Sequence, residues 1–376
     1  MSNQDAVDST DGRGDDPFDG ATIVDTDVHI GFAGPVVEST VERMDEPWAG
    51  FVDPERTGDR YRYPSPGLPK PQGGRKEFLV EPEKNAGNTH PDLIREALLE
   101  EFGIDYPILN VLSATERAWK TDRVVAEMSA INDVLVEEFL EGNDDYHGLL
   151  SVTFRDPDAA VEEIQRFGDH DQVVGIFVFS GTYHQKPPGD PEYDVIYEAL
   201  AENDMTPAFH VTNFVSKAPF LQEYENLFAW HAIAQSWSIQ HAVLSLISQG
   251  VPEKFPELDF VMLEGGVTWI PWAMARLNRE HGQWKSELPL LERTPEEMIR
   301  DQFYFTTQPL EEFNDPADMK RIFEIIGAES LVFSSDYPHY DFDSPGALEG
   351  ILGTLSDEDR RKVLSENAID AFDLDV

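Results

Sequence analysis

Four side chains stand out because each closes a short apolar run: Asp27 and His29 in VDTDVHI, His210 in PAFH and Asp336 in FSSDYP. Two carboxylates and two imidazoles are the types and number that hold one divalent ion, and their wide separation means that the fold must assemble them. Residues two apart on a strand point the same way, so Asp27 and His29 can reach a common ion. Alone, an Asp-x-His pair is more often a loop and a helix cap, and His210 reads equally well as a satisfied core histidine. Asp336 adds weight, because a charge just beyond LVFSS is costly to bury without an ion or a partner. Together the four point to a metal-dependent enzyme.

The elements that must position them alternate short β-branched runs with longer helical patterns, the signature of βα units around a parallel sheet. Strands are expected at 21–27, 105–111, 147–154, 173–179, 206–210, 259–263, 301–305 and 331–335. Segments such as PDLIREALLEEFG and DPEYDVIYEALAEND supply outer helices with acidic starts. No GxGxxG follows the first strand and no P-loop occurs, which weakens the rival doubly wound sheet. The expected fold class is therefore α/β, a TIM-type (β/α)8 barrel, with its chemistry at the strand C-termini. Residues 1–20 read as an acidic tail and 21–376 as one domain, with a long insertion at 31–90 after the first strand. The basic, Pro- and Gly-rich stretch GDRYRYPSPGLPKPQGGRK within it suggests a lid, a subunit contact or a hold on an anionic substrate; an anchored surface loop is the plainer alternative.

With 73 acidic against 28 basic residues the formal charge is −45, a field that repels nucleic acid and anionic lipid. The acidity runs through every segment, as expected for adaptation to high salt, where the screening length falls to about 3 Å at 1 M. No cysteine is present, so disulfides, thiolate metal ligands and a cysteine nucleophile are excluded. No apolar run reaches transmembrane length and no signal-peptide core opens the chain, which gives a cytoplasmic expectation.

The chain resembles the amidohydrolase superfamily, in the branch of metal-dependent hydrolases and of decarboxylases similar to aminocarboxymuconate semialdehyde and resorcylate decarboxylases. The resemblance rests on IVDTDVHI, PAFH, FSSDYPH and the long run ISQGVPEKFPELDFVMLEGGVTWIPWAMARLNR. It implies that Asp27 and His29 stand in place of a His-x-His metal pair. His210 falls at the fifth-strand metal histidine, and Asp336 at the aspartate that binds metal and handles a proton. Glu264, in LEGG, takes the place of a sixth-strand histidine and could act as acid or base, as a further ligand, or as an orienting group. Asp27 makes the site more negative and harder, which shifts the expected single ion from zinc toward manganese. VVGIFVFS has no lysine for a carbamylated bridge between two metals.

Around this centre, His241, Trp269 with Trp272, Arg276, His339 and the pair Tyr183 and His184 are candidate substrate contacts, each with an ordinary packing or surface role as its alternative. The implied function is hydrolysis of an amide, lactone or related bond through metal-activated water, with Asp336 and Glu264 as catalytic groups. The alternatives are non-oxidative decarboxylation of an aromatic or unsaturated acid on the same ligands, and an inactive barrel scaffold. The expected partner is a small-molecule substrate, with no nucleic acid and no membrane, and a homodimer left open.

Overall fold

Eight short segments form the strands: β1 (Val24–Gly31), β2 (Tyr106–Leu112), β3 (His147–Ser151), β4 (Val173–Phe179), β5 (Thr206–His210), β6 (Phe260–Leu263), β7 (Phe303–Thr306) and β8 (Leu331–Val332). They belong to a computed structural model that describes residues 18, 20–53, 56, 88–113, 115–181, 184–212 and 227–376. The sheet runs β1 to β8 in sequence order and every pair is parallel. Closure comes from Thr26 N donating to Phe333 O and His29 N donating to Tyr337 O, beside a parallel bridge between Val28 and Tyr337. The TIM-type barrel expected from the sequence is thus present.

Strands covered on both faces are mostly apolar, and β1, β3, β5 and β6 are buried at every position. The polar residues among them, Asp25, Thr26, Asp27 and His29 of β1 above all, therefore need partners inside the barrel. Val24, Ile108, Leu149, Val174, Ala208, Val261 and Val332 pack into one apolar cluster within the sheet, and Ala368, Ala371 and Phe372 of the helix Asn367–Phe372 join it. A larger cluster lies between the strands and the outer helices. Those helices start where the sequence carries caps. Asp156 caps Pro157–Phe167, Asp315 caps Pro316–Ile326, and Thr294 with Glu297 forms a capping box for Pro295–Gln302. In Pro316–Ile326 the spacing of Met319, Phe323 and Ile326 puts all three on the buried face. Gly175 lets β4 approach β5: a Cβ there would lie 2.1 Å from Thr206 O.

Several boundaries differ from expectation. β1 starts at Val24 and runs through Gly31, so Asp27 and His29 lie inside the strand and not at its end. Its pairing with β2 is irregular between Asp25 and Val28, where the backbone adapts to the buried polar groups. β3 stops at Ser151 and β8 at Val332, earlier than the apolar runs suggested. Residues 301 and 302 finish a helix instead of starting β7.

The segment 31–90 was expected to lack clear elements, yet it opens with the helices Pro35–Glu42 and Ala49–Val52. Val37, Met44, Ala49 and Val52 pack with Ala130 of the helix Thr121–Val134, which anchors these two helices to the outer layer. The basic stretch 58–76 lies outside the described residues, as do 1–17. Phe18, inside the expected tail, is buried in the main cluster.

Candidate metal centre

The barrel brings together Asp27 and His29 from within β1, His210 from the end of β5 and Asp336 from the turn after β8. Ligand-type atoms of Asp27, His29 and His210 lie within 4.8 Å of one another, and so do those of His29, Asp336 and His339. Asp27 and Asp336 are fully buried, and His29 and His210 nearly so. Asp336 has φ 59° and Glu264 φ 60°, a left-handed backbone that costs a non-glycine residue on the order of 1–3 kcal/mol. Both carboxylates sit just past a strand, where the reversed backbone turns them toward the site. The bridge between Val28 and Tyr337 pins the Asp336 turn to β1.

Hydrogen bonds fix which atoms face the centre. Asn110 of β2 pairs with His29 in register, its Nδ2 donates to Asp27 Oδ1 at 2.9 Å, and its Oδ1 accepts from His29 Nδ1 at 2.7 Å. A flipped amide would aim oxygen at a carboxylate, so this orientation holds and the Nδ1 of His29 carries the hydrogen. His210 Nδ1 likewise faces the carbonyl of Val211 at 2.9 Å. In the neutral form both imidazoles would therefore present Nε2 lone pairs inward, the tautomer that a metal ligand needs.

The fit to a cation follows from what is left over. Asp27 Oδ2, His29 Nε2 and His210 Nε2 are buried without a hydrogen-bond partner. His29 Nε2 lies 2.8 Å from Asp336 Oδ1, and His210 Nε2 lies 3.8 Å from Asp27 Oδ2. Lone pairs so placed repel unless a proton or a cation lies between them. Burial alone would lower the pKa of His29, but Asp27 and Asp336 outweigh it and push it up to about 10. At His210 burial prevails and the pKa falls to about 4. A divalent ion would replace the proton at His29, so that binding releases it. Two carboxylates and two imidazoles around this point are a candidate site for a divalent metal ion.

Further groups shape the charge. Burial works to raise Asp336, but His339 and His29 hold it below the ordinary carboxylate range. His339 Nδ1 lies 2.6 Å from Asp336 Oδ1, and Gln308 Nε2 donates to Asp336 Oδ2 at 3.0 Å. Glu264 Oε2 lies 2.8 Å from His210 Nε2, and burial followed by the charge of Asp336 raises its pKa to about 8.

Of the proposed substrate contacts, His339 joins the centre. Trp269 caps the helix Ile270–Trp284 close to Glu264, with Nε1 donating to the carbonyls of Gly265 and Gly266 and its ring edge-on to Phe305. His184 is exposed beside Trp119, and Tyr183 lies outside the described residues. Two are placed elsewhere. Arg276 is exposed and paired with Glu280 at 2.9 Å. His241 is exposed in a cleft lined by Pro187, Leu244 and Ser248. The histidine of that helix, Leu227–Ser248, which reaches the site is His231, ten residues or about 15 Å nearer its start.

Sequence reasoning also missed Asn110, Gln308, Gln235, Tyr340 and Asp341. Asn110 carried the same mark as the ligands, a polar residue closing the apolar run YPILN. His231 and Gln235 had only their four-residue spacing in an uncharged helix to announce them.

An αβ barrel with a buried two-Asp, two-His centre defines the class. Residues 47–374 match the family model for Amidohydrolase, and the chain belongs to that family. Gamma-resorcylate decarboxylase of Rhizobium sp. (strain MTP-10005) is 26% identical over 300 residues, covering 75% of this chain and 86% of that protein. The enzyme of the same name from Rhodococcus jostii (strain RHA1) is 25% identical over 297 residues, with 75% and 87% covered. Among solved structures, 5-carboxyvanillate decarboxylase from Sphingomonas paucimobilis has a TM-score of 0.69 at 21% identity, covering 94% of this chain and all of that one. The 5-carboxyvanillate decarboxylase from Novosphingobium aromaticivorans, complexed with manganese and 4-hydroxy-3-methoxy-5-nitrobenzoic acid, gives 0.70 at 19%, with 96% and 98% covered. These two show the shared fold. The chain is an enzyme of the hydrolase or carboxy-lyase kind.

Proposed function

We propose that the protein is a metal-dependent carboxy-lyase that removes carbon dioxide from an aromatic acid bearing a hydroxyl beside the carboxylate. One observation carries the reading: the match to gamma-resorcylate decarboxylases spans 86% of their length and 75% of this chain. Of the two readings that the sequence allowed, this favours decarboxylation over hydrolysis. Two carboxylate ligands, and the manganese in the Novosphingobium structure, favour manganese over zinc.

Asp27, His29, His210 and Asp336 would hold the ion, which when bound supplies an anchor and a Lewis acid for the substrate oxygens. Asp336, gripped by His339 and Gln308, would bring a proton to the ring carbon that carries the carboxylate. When the bond from that carbon to the carboxylate breaks, its electron pair restores the aromatic ring and carbon dioxide departs. Each turnover takes up one proton, which His339, partly open to solvent, can return to Asp336. Glu264 beside His210 is the second available acid.

The test is manganese-loaded protein in molar potassium chloride with carboxyl-labelled 2,6-dihydroxybenzoate and 5-carboxyvanillate, in heavy water. Labelled carbon dioxide, with deuterium on the vacated ring carbon, is expected. Cleavage of esters, lactones or amides with oxygen taken from water, and no carbon dioxide from any aromatic acid, would overturn the proposal.

A further inference from the structure

Next to the ligands, the same face of the barrel carries a second group of polar side chains. His231 and Gln235 come from the helix Leu227–Ser248, and Tyr340 and Asp341 from the loop after β8. His231 Nε2 lies 2.8 Å from the Tyr340 hydroxyl, 3.1 Å from Gln235 Nε2 and 3.9 Å from Asp341 Oδ2. Gln235 Nε2 also donates to Glu264 Oε1, so Glu264 links this group to His210. Ligand-type atoms of His231, Glu264 and Asp341 all lie within 4.8 Å of one another. The Glu264 side chain is 6% exposed, whereas His231 and Asp341 are 20% and 22% exposed, so the group leads from solvent to the centre.

Within this group one buried atom, Asp341 Oδ2, has no hydrogen-bond partner, and it is an acceptor like the unmet atoms of the ligands and of Gln308. Among the described residues at the centre, the buried atoms without a partner are Asp27 Oδ2, His29 Nε2, His210 Nε2, Gln308 Oε1 and Asp341 Oδ2. All five offer lone pairs. An ion satisfies the first three, which leaves two acceptors that need a hydrogen from elsewhere. Gln308 is fully buried, and Asp336 fixes its amide so that only the oxygen is unmet. No described lysine or arginine pairs with Glu264 or Asp341; their ion-pair partners are histidines, and the remaining charged neighbours are each other and Asp336. This wall would repel a second carboxylate and accept a neutral donor.

We infer that Asp341, flanked by His231 and Glu264, receives a second hydroxyl of the substrate ring and so selects dihydroxylated aromatic acids over monohydroxylated ones. The inference rests on the decarboxylase reading for the kind of ring, and is tested by binding, without turnover.

The probes are 2-nitrophenol, 2-nitroresorcinol and 3-nitrocatechol, in which the nitro group stands for the carboxylate, titrated calorimetrically into manganese-loaded protein. A hydrogen bond to a charged acceptor contributes about 1.5–3 kcal/mol, or roughly 10- to 150-fold in affinity, so the titration is run at about pH 8.5, where Asp341, pushed up to about 7 by burial, is ionised. At least one dihydroxy probe should therefore bind about 10-fold or more tightly than 2-nitrophenol. Asp341→Ala should bring that ratio close to one, while Asp341→Asn, which keeps an acceptor oxygen, should retain most of it. A wild-type ratio near one for both dihydroxy probes overturns the inference without any variant, and so does a ratio that survives Asp341→Ala. A second equivalent of manganese, lost in Asp341→Asn, would also overturn it by making the group a cation site. Failure of the decarboxylase reading shows separately, as absence of carbon dioxide release with the binding ratio intact.

Discussion

Removing the amide of Asn110 should weaken metal binding. This side chain holds two ligands at once, donating to Asp27 Oδ1 at 2.9 Å and accepting from His29 Nδ1 at 2.7 Å, and it is itself fully buried. In Asn110→Ala the His29 ring loses the acceptor that fixes its tautomer, and Asp27 loses a donor that holds it in place. Losses of this kind typically reduce metal affinity 10- to 100-fold, about 1.4–2.7 kcal/mol. The space left by the amide can take a water that partly replaces both bonds, so the alanine variant should fall near the lower end, about 10- to 30-fold. Asn110→Leu fills the space and keeps water out, and should come closer to 100-fold. Competition with a chelator, followed by the electron paramagnetic resonance of free manganese, reads the affinity directly. If both variants bind within about twofold of the wild type, Asn110 does not position the ligands and the argument from the tautomer fails.

Asp336→Asn keeps the shape but removes a ligand charge and the proton carrier. The variant should retain far less than one manganese per chain after dialysis and show no carbon dioxide release, as elemental analysis and the labelled assay would report. Asp259, between strand β6 and the C-terminal helix, has its pKa raised from 3.8 to about 7 by burial and by Asp370. For an acid raised in the fold, the native state binds the extra proton, so stability is greatest below about pH 4 and declines as pH rises toward about 7. Asp259→Asn should accordingly raise the melting temperature at pH 8 and leave it unchanged at pH 4; an equal shift at both values would contradict the assignment. Finally, the charge of −45 predicts a melting temperature that climbs by several degrees between 0.1 and 2 M potassium chloride, where a flat response would refute salt dependence.

The barrel was legible because its strands are buried on both faces and so read as unbroken apolar runs, and because no nucleotide-binding loop offered a competing sheet. The candidate ligands stood out for a related reason: Asp27, His29, His210 and Asp336 interrupt or end those runs, and the structure brings them together. Groups that act through hydrogen bonds were harder to see. Gln308 follows FYFTT without any mark of its own, and it matters because a turn carries its amide to Asp336. His241 looked as promising as His231, since both lie on one helix without charged residues. Only the position along that helix separates them, and a sequence does not state where a helix starts relative to a strand end. Arg276 was misplaced for a similar reason: its spacing from Trp269 fits one helical face, but Glu280, one turn on, holds it at the surface.

The barrel closes by joining residues far apart in the chain: the Thr26 hydroxyl donates to Phe333 O across 307 positions, and Ser335 N donates to Asp25 across 310. The same closure unites Asp27 and His29 with Asp336. On a ribosome, β1 emerges early and must wait for nearly the whole chain before its partner appears. A nascent chain therefore carries half a metal site with nothing to complete it. Metal loading would then wait for the segment after β8, and a retained ion would report that it has met β1.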